Sequence, residues 1–104
     1  MAATPLTETE LADALTELPG WTVVDGKLTA AFKLDRTAVP GFYAVVAAAE
    51  DEANHHAVVT ILYGTVTFGL NTHDAGDAIT ALDTAMAARL AAIATEHGAT
   101  PTPR

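Results

Sequence analysis

The sequence predicts an α+β fold: a four-stranded antiparallel sheet with three helices packed on one face, in the order α-β-β-α-β-β-α. Two observations lead there. Two pairs of strand-like runs are each joined by a short glycine-containing turn, which is the pattern of hairpins. Stretches with apolar residues three and four positions apart flank and separate those pairs, which is the pattern of helices. A third observation bounds the organisation. The 104 residues contain no repeat, linker or change of composition, so residues 1–104 are expected to form one domain. A chain of this size buries roughly two thirds of its unfolded surface, enough for one core.

Taken in order, "LTETELADALTEL" is the first helix. Thr7 and Glu10 have capping-box spacing, and Leu11, Ala14, Leu15 and Leu18 form one apolar stripe. Pro19-Gly20 ends it. "WTVV" and "KLTAAFKL" are strands around Asp25-Gly26, a dipeptide suited to the positive φ angles of a type I′ turn. A second helix runs from Asp35 or Thr37 to about Asn54, with Pro40 in its first turn and Phe42, Val45, Val46 and Ala49 on one face. "AVVTILY" and "TVTFGL" make the second hairpin, with Gly64 at the turn. Val66, Phe68 and Leu70 alternate with Thr65, Thr67 and Gly69, as in a half-buried strand. After the loop "NTHDAGD", a third helix spans about Ala78 to His97, with Ile79, Leu82, Met86, Leu90 and Ile93 as its buried stripe. Residues 97–104 are expected to be a frayed tail.

The formal net charge of −8 argues against a phosphate-neutralising nucleic-acid face and against adsorption to anionic membranes. With no cysteine, disulfides, thiolate catalysis and thiolate zinc sites are excluded. The start "MAATPLTETE" lacks the pattern of a signal peptide, and no apolar run is long enough to span a bilayer, so the expected setting is cytoplasmic. Open sheet edges invite pairing between copies, so a homo-oligomer, dimer or tetramer, is expected.

Chemistry concentrates in "NHHAVVTILYGTVTFGLNTHDAG", which holds three of the four histidines. His55 and His56 are adjacent, so on a helix or a strand they diverge. That geometry disfavours a metal, although Asp51, His55 and His73 would supply two imidazoles and a carboxylate. Acid–base chemistry asks less, because imidazole titrates near neutrality. The end of the second helix and the end of the last strand can share one rim of the sheet. There the three rings would meet, with Asp51 or Glu52 near enough to orient one. The plainer readings also stand: two histidines capping a helix, Trp21 as a core aromatic, and Asp83 favouring a helix N-terminus. His97 is assigned no function.

The spacing resembles the pterin-4a-carbinolamine dehydratase family (4a-hydroxytetrahydrobiopterin dehydratases). Its pattern is an acid, three residues, a His-His pair, then an aromatic, a further His and an Asp. Here these fall on Asp51, His55-His56, Tyr63, His73 and Asp83. "LPGW" before a hairpin, "EANHH" and "NTHDAG" are also similar to that family. The chain departs from it at Ala57, where the family has Pro, Cys or Ser, and at Asn71 and Asp77, where members often carry Thr and Gly.

The resemblance implies dehydration of a 4a-hydroxytetrahydropterin, the product of an aromatic amino acid hydroxylase, to the quinonoid dihydropterin. It requires no metal and no redox cofactor. It makes His55 and His73 the acid–base pair and His56 a pterin-binding residue that shares the proton work. Asp51 would tune His55, and Asp83 would support the site from the last helix. Trp21, Thr72 and Asp74 would contact the substrate. Proteins similar to this family also act as dimerisation cofactors of a transcription factor or assist assembly of a carbon-fixing enzyme, so a non-catalytic assembly role is the alternative.

Overall fold

The computed structural model describes residues 3–102 and is α+β, with three helices and one antiparallel sheet. Thr7 caps helix α1 (Glu8–Thr16) through a complete capping box with Glu10. The strands β1 (Thr22–Val24) and β2 (Lys27–Lys33) follow, joined by Asp25 and Gly26 at φ 50° and 77°. Both angles are positive, as the sequence demanded of this turn. A short 3-10 turn (Arg36–Ala38) leads into α2 (Val39–Ala53), with Pro40 in its first turn. The hairpin of β3 (Val58–Leu62) and β4 (Thr65–Leu70) comes next. Helix α3 (Ala81–Glu96) precedes a final strand, β5 (Thr100–Thr102).

The sheet therefore has five strands, not four. Its path is β1-β2-β4-β3, and β5 also pairs with β2. β1 occupies the Lys27–Thr29 end of β2, while β5 occupies Ala31–Lys33. The tail expected to fray is thus part of the sheet as far as Thr102; residues 103–104 lie outside the described residues. A three-residue segment with Pro101 at its centre and Pro103 next to it carries almost no strand signal of its own. It pairs because β1 is short and leaves half of one edge of β2 open.

The core lies between one face of the sheet and the helices. Leu28, Ala30 and Phe32 of β2 and Val66, Phe68 and Leu70 of β4 meet Val39, Phe42, Val46 and Ala49 of α2 and Met86, Leu90 and Ile93 of α3. Leu6, Leu11 and Leu15 pack against this cluster from the N-terminal segment and α1. Phe68 sits at the centre, its ring 6.0 Å from that of Phe32 and 6.1 Å from that of Phe42. Each such side chain, fully buried, contributes about 1.5–3 kcal/mol.

Two of the expected core positions are exposed. Val45 is 42% and Leu82 is 48% accessible. On α3 the buried positions are Asp83, Met86, Ala87, Leu90, Ile93 and Ala94, so the inward stripe passes through Asp83 rather than Leu82. The helix also begins three residues later than its composition suggests. Thr72 and Ala78 form a β-bridge, as do Pro5 and Thr80, and these hold residues 78–80 extended.

Candidate active site

Where α2 ends, Asn54 takes a left-handed conformation (φ 51°) that turns the chain out of the helix. His55 and His56 follow in the bend. Where β4 ends, Asn71 and Thr72 lead into a short 3-10 turn carrying His73 and Asp74. The two segments face each other across an open cleft of about 290 Å³. His55, His56, Thr72, His73 and Asp74 line it, together with Asn54, Asn71 and Leu82. That volume is at the small end of ligand pockets, suited to one flat ring system. A larger depression of about 470 Å³ lies beside α3 against Thr4–Leu6, but it contains no histidine and shares only Leu82 with the cleft.

Each of the three histidines is tied to its own aspartate. His55 Nε2 lies 2.6 Å from Asp83 Oδ1. His56 Nε2 lies 2.9 Å from Asp51 Oδ1. His73 Nδ1 lies 3.1 Å from Asp77 Oδ1. A carboxylate only accepts, so in each pair the imidazole N–H donates and the opposite ring nitrogen is left free. The free atoms are Nδ1 of His55, Nδ1 of His56 and Nε2 of His73.

The pairs differ in burial. Asp83 is fully buried and the His55 side chain is 12% exposed. The other two pairs are largely solvated, with the His73 side chain 93% exposed. Exposed pairs of this kind are worth about 0–1 kcal/mol, so His56 and His73 are held loosely and His55 firmly.

Asp83 is the centre of a buried network. Its Oδ2 accepts the Thr80 N–H at 2.9 Å and the Thr72 hydroxyl at 2.8 Å. Thr72 Oγ1 is also 2.7 Å from Thr80 Oγ1, which in turn accepts the Leu82 N–H at 3.2 Å. The donors sort themselves without conflict. The Thr80 hydroxyl donates to Thr72, the Thr72 hydroxyl donates to Asp83, and Oδ1 of Asp83 remains for His55. Thr80 and Asp83 are also the two halves of the capping box of α3. One hydrogen-bonded set therefore starts the helix and aims the imidazole.

Several sequence expectations are redirected by this geometry. Asp51 serves His56, not His55, and Asp83 takes the place expected of Asp51. Thr72 is at the cleft, but its hydroxyl is committed to Asp83. Trp21 is away from the cleft: it is 6% exposed in the core, with its ring edge-on to Phe32 at 6.2 Å. Glu52 points elsewhere and pairs with Arg89 at 3.2 Å. Among the described residues no three His, Asp or Glu side chains converge as a metal donor set. Thr80 and the His73–Asp77 pair were not singled out from the sequence. "TALD" is a capping-box signature that reveals Thr80 once it is read as the helix start.

Paired imidazoles at the rim of a helix-backed antiparallel sheet define a small α+β protein with a histidine-lined cleft. The family model described as "Pterin 4 alpha carbinolamine dehydratase" matches residues 4–93. The chain belongs to that family, whose name denotes a hydro-lyase. A Streptomyces avermitilis protein named "Putative pterin-4-alpha-carbinolamine dehydratase" is 36% identical over 100 residues, covering 95% of this chain and 99% of the relative. One of the same name from Solibacter usitatus is 42% identical over 92 residues, covering 88% of this chain and 96% of the relative. A crystal structure described as a transcriptional coactivator/pterin dehydratase from Brucella melitensis superposes with a TM-score of 0.80 at 38% identity, covering 86% of this chain and 98% of that one.

Proposed function

We propose that this protein dehydrates a 4a-hydroxytetrahydropterin to the quinonoid dihydropterin by histidine acid–base catalysis, within pterin recycling. One observation carries the reading: three imidazoles line one cleft, and each is oriented by its own aspartate so that one ring nitrogen stays free. Family membership supports the substrate class.

The reaction breaks the C4a–O bond and the N5–H bond and releases water. One protonated group assists the departing hydroxyl, and one free nitrogen takes the N5 proton. His55 and His73 fill these two roles on opposite sides of the cleft. His56, beside His55, binds the pterin and shares the proton work. Asp74 lies at the mouth, where a carboxylate can accept from the amino and amide N–H groups of a pterin. Asp83 and Asp51 act through His55 and His56. The substrate comes from an aromatic amino acid hydroxylase, the setting is cytoplasmic, and the protein works as a homo-oligomer.

The test is turnover of a 4a-hydroxytetrahydropterin by the purified protein with no metal added. His55→Ala and His73→Ala should each slow it by about 10²-fold or more. Chelator should leave it unchanged. Parent-like turnover in both variants would remove the assigned roles, and an inactive parent protein would favour the assembly role that the coactivator description of the Brucella melitensis structure suggests.

A further inference from the structure

Two carboxylates are buried among the described residues, and the chemistry above uses only Asp83. The other is Glu50, 2% exposed in the last turns of α2. It touches the histidine segment twice. Its backbone carbonyl accepts the His55 N–H at 3.0 Å. Its Oε2 accepts the Ala57 N–H at 2.7 Å. These two contacts bracket His55-His56 on either side, across a bend made by the left-handed Asn54.

We propose that Glu50 is a positioning residue for the histidine cleft, its carboxylate clamping the Ala57 N–H so that the two imidazoles leave the helix in one fixed direction. A buried carboxylate with a peptide donor is strongly destabilising if that donor is removed. Glu50 therefore holds residue 57 wherever that residue has an N–H to give. Ala57 has one, and a proline would not. The backbone N–H of Ala57 is the donor this clamp requires. Glu50 and Ala57 form a matched pair that fixes a bend a proline ring would otherwise stiffen. The clamp acts on the site assigned above, so its activity arm rests on the dehydratase reading.

The experiment uses the full chain and four variants: Glu50→Leu, Glu50→Gln, Ala57→Pro and the double variant Glu50→Leu/Ala57→Pro. The imidazole NMR resonances of His55 and His56 should shift in Glu50→Leu, while that of His97 stays in place. In that variant kcat should fall about tenfold or more while KM holds, because the rings are misaimed rather than removed. Glu50→Gln should restore both readouts, since its amide oxygen accepts the same N–H. The double variant should be more stable than Ala57→Pro alone, because it leaves no buried acceptor without a donor. If Glu50→Leu does not fold, the resonances are read in Ala57→Pro and the same shift is expected. Unmoved His55 and His56 signals, a Glu50→Gln as impaired as Glu50→Leu, or a strictly additive double variant would overturn the clamp. An inactive parent protein would instead overturn the dehydratase reading, and the resonances and the stability cycle would still decide the clamp.

Discussion

At the scale of single residues, Asp83 carries the most. Asp83→Ala strands the His55 ring, the Thr72 hydroxyl and the Thr80 N–H at a buried position. It should destabilise the protein by about 3 kcal/mol, measured by urea unfolding. Asp77 is the contrast. It holds positive φ (63°) and contacts a solvated His73, so Asp77→Gly relieves backbone strain while losing an exposed pair. Its stability should change by less than about 1 kcal/mol in the same experiment. The histidines were legible in the sequence because their types and spacing are distinctive. Their pairing was not. Asp51 and His55 have helical i, i+4 spacing, but the helix stops at Ala53 and Asn54 reverses its hand, so Asp51 meets His56 instead. Trp21 was readable as a core aromatic, and the core is where it sits.

At the scale of elements, the hairpins illustrate two uses of glycine. Gly26 supplies a positive φ, whereas Gly64 answers a close approach: a Cβ there would clash with the Leu34 carbonyl oxygen. In that second turn it is Tyr63 that holds positive φ (54°). Gly64→Ala should push Leu34 away, weaken the 2.9 Å Leu34 N–H to Gly64 carbonyl bond, and destabilise the protein by about 1–3 kcal/mol in thermal unfolding. The start of the Arg36–Ala38 turn gives a pH prediction. The Thr37 hydroxyl, and then its N–H, hold the Asp35 carboxyl below the ordinary value of 3.8. A lowered folded-state pKa means that this cap is intact above the unfolded value and lost as pH falls through the folded one. An NMR titration should place the Asp35 midpoint below 3.8, and Thr37→Val should raise it. Capping signals and turn dipeptides were readable because they are local. The extended run before α3 was less so: apolar spacing continues through Ile79, and one of the two bridges that hold residues 78–80 extended comes from Pro5, far away in sequence.

At the scale of the whole molecule, the last strand and the free edge matter most. β5 covers half of one side of β2, and Ala99 before it is buried. Ending the chain at Gly98 should therefore lower stability by about 2 kcal/mol or more in denaturant unfolding, where a frayed tail would leave it unchanged. At the opposite side, among the described residues, β3 pairs only with β4, and Val58, Ile61, Leu62 and Tyr63 are exposed there. Sedimentation should find a homo-oligomer, and Ile61→Lys with Leu62→Lys should shift it towards monomer. A final consequence follows from the sharing of Thr80 and Asp83 between the start of α3 and the aim of His55. Because one carboxylate caps the helix through Oδ2 and holds the ring through Oδ1, fraying of that first turn would release His55 before the rest of the protein unfolds. Mild denaturant should then extinguish turnover before global melting begins, and amide exchange at residues 80–83 should keep pace with the loss.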